Sequence, residues 1–211
     1  MAVVLIVLTA TVYVQNKLYI YQKDYQSRID IYVKSIQQWV KTGFNIVVVE
    51  NSGYTFPEIE RVPNLEIISY KESELHECKY LLENTSKGAS ELFAINYALK
   101  KTLFKDFDFV VKVTCRYFIP GFEKYLNDFL TESFQVICQN EPNRCEFIGC
   151  RKAICFNFFD ISLKLNNGRY CHHIEHLYDE RINKFDQVFI CKKMFIEPTI
   201  HGGIEKVNYY L

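Results

Sequence analysis

The chain has 211 residues, enough for one α/β domain with a sizeable core, and its 25 Lys and Arg balance 25 Asp and Glu. A formal net charge of zero excludes the broad electrostatic footprint of a nucleic-acid-binding protein, so any anion site has to be local. Eight cysteines without a Cys-x-x-Cys pair exclude a zinc ribbon and a thioredoxin motif and suggest free, mostly buried thiols in a reducing, cytoplasmic setting.

Met1 to Val14 is apolar, but it lacks the basic start and the small-residue cleavage site of a signal peptide and is too short to span a bilayer, so no transmembrane segment is expected. Within it Val3 to Leu8 is a continuous Val/Ile/Leu run, the pattern of a central strand covered on both faces, and it ends in Thr9-Ala10-Thr11. From about Asp24 to Thr42 the residues Ile29, Tyr32, Val33, Ile36, Trp39 and Val40 recur at spacings of three and four, predicting an amphipathic helix that Gly43 terminates. Asn45 to Val49 is a second buried strand running into Glu50-Asn51-Ser52-Gly53. Strand, helix and strand with short links make a right-handed βαβ unit, so the Thr9 and Glu50 loops share one edge.

Leu65 to Tyr70 predicts a third strand, and Lys71 to Thr85 is polar and irregular. Asn84-Thr85-Ser86 matches a glycosylation acceptor, a chance match where no secretory signal precedes it. A helix begins at Ser86 and carries Leu92, Ile95, Leu99 and Leu103 inward. Ser86 or Gly88 can cap it, Gly88 lets a ligand approach the first-turn amides, and Lys87 adds a full charge, although an ordinary capped helix explains the same residues.

Phe107 to Val113 is the next strand, followed by Thr114, Arg116 and Tyr117. Ligands of α/β proteins bind at the carboxyl ends of strands, so Lys112 and Arg116 are aimed at an anion, with a phosphate the first candidate. The alternation of Lys112, Thr114 and Arg116 also describes the polar face of a half-exposed strand. Pro120 to Leu130 suits a helix. Further strands are expected at Phe134 to Cys138, Glu146 to Cys150 and Ala153 to Phe156, and helices at Asp160 to Leu165 and Ile174 to Ile182. Near the end, Pro198 to Gly203 is turn-rich, and its paired glycines permit close backbone approach to a ligand or simply a surface turn. No repeat or linker divides the chain, which reads as one domain over residues 1–211.

Taken together, Leu8-Thr9-Ala10-Thr11, Glu50-Asn51-Ser52-Gly53-Tyr54, Lys87-Gly88, Lys112-Val113-Thr114-Cys115-Arg116-Tyr117, Ile174-Glu175-His176 and His201-Gly202-Gly203 resemble a group of small GT-A-type glycosyltransferases. Members occur in polysaccharide gene clusters and in large DNA viruses, and a viral member would work in the host cytoplasm. The likeness runs in order from about Val3 to Tyr209, and it departs from the group at Cys115, where the group has Gly.

The resemblance implies a Rossmann-like domain with a mostly parallel central sheet flanked by helices, a nucleotide-diphosphate sugar as donor substrate, and a glycan or glycoprotein acceptor. It implies donor binding by Thr9, Thr11, Glu50, Asn51, Ser52, Gly53, Lys87, Gly88, Thr114, His201, Gly202 and Gly203, with Thr9, Thr11, Glu50 and Asn51 on base and ribose. Most GT-A enzymes hold a divalent metal with Asp-x-Asp after a later strand. Here Lys112-x-Thr114-x-Arg116 stands instead, so the expectation is that cationic side chains replace the metal and no cofactor is needed. Glu175 is the candidate general base. Cys171, His173 and His176 have metal-ligand types but no fourth ligand spaced to join them. Two alternatives are a catalytically inactive GT-A-like binding module and a sugar nucleotidyltransferase, although the latter would carry a glycine-rich loop with Arg after the first strand.

Overall fold

The computed structural model describes residues 2–14, 17–18, 20–81, 86–131, 133–139, 144–171 and 173–211. Asn84 and Thr85 of the glycosylation match lie outside them. The Val/Ile/Leu runs form the expected strands, β1 (Val4–Ala10), β2 (Asn45–Glu50), β3 (Leu65–Ser69) and β4 (Phe109–Thr114). They join β5 (Val136–Cys138), β6 (Phe147–Arg151) and β7 (Val188–Ile190) in a seven-stranded sheet ordered β3-β2-β1-β4-β6-β5-β7. Only β6 runs against its neighbours β4 and β5 in this otherwise parallel sheet. The fold class is α/β, as expected.

Both faces of β1 are covered, which explains its unbroken apolar run. Val4, Ile6 and Leu8 join one core with α1 (Tyr25–Val40) and α3 (Phe122–Thr131), and Leu5 and Val7 join the other with α2 (Lys87–Lys101), α4 (Cys155–Phe158) and α5 (Ile174–Ile182). α1 starts where Asp24 accepts the Ser27 amide (2.7 Å) and ends at Gly43, whose φ of 79° suits a residue without a Cβ. The eight cysteines are free.

Four expectations are corrected. Ala153–Phe156 is not a strand but part of a 3₁₀ turn (Lys152–Ile154) and the short α4, and Asp160–Leu165 forms no helix. The Arg181 guanidinium binds the carbonyls of Phe158, Asp160 and Ser162 instead, and those bonds hold the segment in an irregular path. Leu103 lies beyond the end of α2 and is 82% exposed rather than inward. The Pro198–Gly203 stretch is half strand: β8 (Phe195–Ile200) pairs with β9 (Val207–Tyr210) in a separate two-stranded ribbon.

Candidate active site

β1 connects through α1 to β2 on one side, and β4 lies against its other side, so the sheet has its topological switch point between β1 and β4. Crevices at such points, outside the carboxyl ends, are where α/β sheets take ligands. Thr9 and Thr114 are register partners there, as are Ala10 and Glu50.

The loops on the β2 side are tied mostly to each other. Glu50 is fully buried, and its carboxylate accepts the amides of Val12 (2.9 Å), Ser52 (2.9 Å) and Tyr54 (2.7 Å) and the Ser52 hydroxyl. Burial raises its pKa against those bonds. Both oxygens of Glu50, expected on ribose or base, are engaged in holding the two loops together. Ser52 does the same, accepting the Tyr13 amide (2.9 Å), and Gly53 supplies a turn with φ of 93°. The Asn51 side chain accepts the Thr11 hydroxyl (2.6 Å) and donates to Glu72 (3.1 Å), which also pairs with Lys17 and accepts from Ser90.

On the α2 side the strand alternation carries Val110, Lys112 and Thr114 away from α1. Lys112 is 0% exposed, and its ammonium meets the Glu91 carboxylate at 2.6 Å, the Cys145 carbonyl at 2.6 Å and the Thr114 hydroxyl at 3.2 Å. Burial opposes the charge, yet Glu91 and its neighbours outweigh it and raise the Lys112 pKa. Thr9 donates to the same Glu91 oxygen at 2.7 Å. All three ammonium hydrogens of Lys112 thus have protein partners.

Arg116 goes the other way. The chain turns after Thr114, with the Tyr117 amide on the Thr114 carbonyl (3.0 Å), and the Trp39 indole pins the Tyr117 carbonyl at 2.9 Å. Arg116 is swung onto the α1 side, 6.0 Å over the Tyr32 ring. It is 8% exposed, yet its only hydrogen bonds among the described residues are long ones, to Gln22 Oε1 (3.4 Å) and the Ile200 carbonyl (3.3 Å). None of the described acidic residues forms an ion pair with it, and Arg28 nearby adds like charge. It opens into a cleft of about 250 Å³ between α1 and β8, where the buried Ser35 hydroxyl has no partner among the described residues.

Ile200 and Gly202, on either side of His201, close over Arg116 at the end of β8. The Gly203 amide donates to His201 Nδ1 (3.0 Å). Burial lowers the His201 pKa; Glu146 opposes that, while Lys87, Arg116 and Arg144 reinforce it, so all four charges lie within its electrostatic reach. Lys87 is exposed at the first turn of α2. Gly88 beside it packs against α5, where a Cβ built on it would meet Ile174 Cβ at 2.8 Å. Glu175, next in α5, is half-buried at the helix start.

Sequence reasoning missed Glu91, Arg144 and Glu146. Arg144 and Glu146 pair at 2.9 Å just before β6, and they reach the carboxyl edge only because β6 is antiparallel to β4. Glu91 sits one turn after Lys87, and only its polar character on an otherwise buried helix stretch marked it.

A divalent cation does not fit the segment after β4, because Thr114, Cys115 and Arg116 supply no carboxylate. Among the described residues no three His, Cys, Asp or Glu side chains are grouped to hold one.

No protein-family model matches the sequence, and no curated protein is similar to it at a significant level. Solved structures do match. A glycosyltransferase involved in the glycosylation of the major capsid of PBCV-1 overlaps 90% of this chain and 82% of its own with a TM-score of 0.50 at 10% identity. The fold is GT-A-like. The bifunctional glycosyltransferase WbbM overlaps 90% of the chain with a TM-score of 0.54 at 10% identity, and the GT-A-like chain spans 39% of that protein. A looser match, with a TM-score of 0.46 at 10% identity over 90% of this chain and 88% of the other, is the 4-diphosphocytidyl-2C-methyl-D-erythritol synthase of Anaerococcus prevotii, and so loose an overlap says nothing about activity. No helix among the described residues is long and apolar enough to cross a membrane.

Proposed function

We propose that this chain is a nucleotide-sugar-dependent glycosyltransferase. In this reading residues 1–211 form one donor-binding domain that moves a sugar from a nucleoside diphosphate to a hydroxyl of a glycan or glycoprotein. The observation that carries it is Arg116, a buried guanidinium without a carboxylate partner among the described residues, just past the end of β4 in a GT-A-like sheet. Burying an unpaired cation costs several kcal/mol, so the fold is completed by an anion at that place.

A diphosphate supplies that anion. The Arg116 fork binds two of its oxygens, Lys87 and Arg144 add to the field at the same edge, and the negative charge that grows on the leaving diphosphate is offset. At an effective dielectric of about 20 such a contact contributes at most ~4 kcal/mol before desolvation, so its loss costs about two decades or more in rate. Thr9, Thr11 and Asn51 line the β1–β2 part of the edge, where the nucleoside is assigned, and Lys112 acts through Glu91 rather than on the donor. Glu175 takes the proton of the acceptor hydroxyl.

The experiment is calorimetric titration of UDP, GDP and TDP into the parent chain and into Arg116→Ala. The reading requires that the parent bind at least one of them and that the variant lose that binding while melting normally. Equal affinity removes the diphosphate role. Donor hydrolysis without acceptor then separates an enzyme from an inactive module.

A further inference from the structure

Glu91 belongs to no motif that the sequence displays, yet it stands where the sheet divides. Its Oε1 accepts the Lys112 ammonium (2.6 Å) and the Thr9 hydroxyl (2.7 Å), joining the carboxyl ends of β4 and β1 to α2. Its Oε2 accepts no hydrogen bond from any described residue, and the side chain is 21% exposed, whereas Lys112 beneath it is sealed off. One oxygen is anchored and the other is left without a partner among the described residues, on a partly exposed side chain at the carboxyl ends of β1 and β4.

Packing alone does not explain this arrangement. A methionine fills the volume of a buried lysine without the desolvation cost, and buried ion pairs seldom add stability over apolar residues of like size. What the pair does secure is a carboxylate held charged and fixed in orientation at the ligand edge. A carboxylate oxygen accepts only from hydroxyl or N–H groups and has no hydrogen to offer a phosphate oxygen. The carboxyl edge thus offers two unlike groups, the under-bonded Arg116 on the α1 side, with Lys87 and Arg144 adding positive charge, and the Glu91 oxygen beside Thr9 and Lys112. A molecule carrying a diphosphate directly bonded to a polyhydroxylated ring complements both.

We infer that Glu91 is the specificity-determining residue for the sugar ring of the donor, its Oε2 accepting one or more sugar hydroxyls. The inference rests on the glycosyltransferase reading and adds to it which side of the edge the sugar occupies. A site built to accept a hydroxyl rejects analogues that lack it far better than an apolar pocket can, because the acceptor is otherwise left unpaired.

The test compares each nucleoside diphosphate with its hexose derivative, UDP with UDP-glucose, GDP with GDP-mannose and TDP with TDP-glucose, in the parent, in Glu91→Gln and in Glu91→Gln/Lys112→Met. The double variant leaves no lone buried charge, so it guards against loss of folding in the single one. The expected result is that the variants bind the nucleoside diphosphate as the parent does, while the preference for the sugar-bearing form falls about tenfold or more. An unchanged preference overturns the Glu91 assignment and leaves the function standing. Failure of the parent to bind any of the six compounds overturns both. On the parent itself, carbodiimide coupling of glycinamide to Glu91, read by peptide mass spectrometry, is blocked by the preferred sugar nucleotide and not by its nucleoside diphosphate; equal labelling under both overturns the assignment without any variant.

Discussion

Gly202 lies so close against Arg116 that a Cβ built on residue 202 would stand 2.5 Å from Nη2 and 2.7 Å from Cζ. The glycine is there for the guanidinium, since its backbone carries no positive φ that would demand one. The atoms in conflict are the far end of a flexible side chain, so Gly202→Ala displaces Arg116 cheaply. Its expected effect is a change in Tm within about 2 °C and a fall in nucleoside diphosphate affinity of roughly tenfold or more. Normal affinity at normal stability means that Arg116 does not touch the ligand where it now sits.

The segment after β4 carries a guanidinium and no carboxylate, the kind of ligand a hard divalent cation takes. Transferase activity is expected to survive excess EDTA. Full loss in EDTA with recovery on adding Mn²⁺ contradicts the proposal that side chains take the role of the ion.

Glu175 sits in the first turn of α5, which packs its neighbour Ile174 against Gly88 at the start of α2. As the proposed base, Glu175→Gln is expected to bind donor with parental affinity and to turn over roughly 100-fold or more slowly. A variant with parental turnover leaves Glu175 as a carboxylate that merely suits the helix dipole.

The Arg144–Glu146 pair makes a prediction in pH. Burial works against the Glu146 charge, but the Arg144 guanidinium outweighs it and holds the carboxyl below its ordinary value of 4.5. A depressed carboxyl stabilises the fold above that value and stops doing so as pH falls through the lower folded-state value. Glu146→Gln is thus expected to melt below the parent at pH 7, by roughly 1–3 kcal/mol of stability, with the gap closing as the solution is acidified below pH 4.5. A gap that stays constant from neutral to acid pH refutes the pairing as its source.

Much of the architecture was legible in the chain because its signals are local. The unbroken run in β1 required cover on both faces, the three-and-four spacing of Ile29, Tyr32, Ile36 and Trp39 required one buried helix face, and Gly43 had to end it. Ile174–Ile182 came out at the bounds expected. The segments that failed, Ala153–Phe156 and Asp160–Leu165, are short, and in the second a distant Arg181 decides the path.

The site divides in the same way. By itself the sequence determined that cations stand at the end of a buried strand beside threonines and that no carboxylate is among them, since both follow from residue order. Only the tertiary structure decided that Lys112 and Arg116 part to opposite sides of the sheet, because a turn after Thr114, pinned by Trp39 from another element, breaks the alternation that would have kept them together. It alone brought Glu91 to Thr9 across 82 residues, for the physical reason that a buried ammonium must find its counter-charge wherever the packing places one.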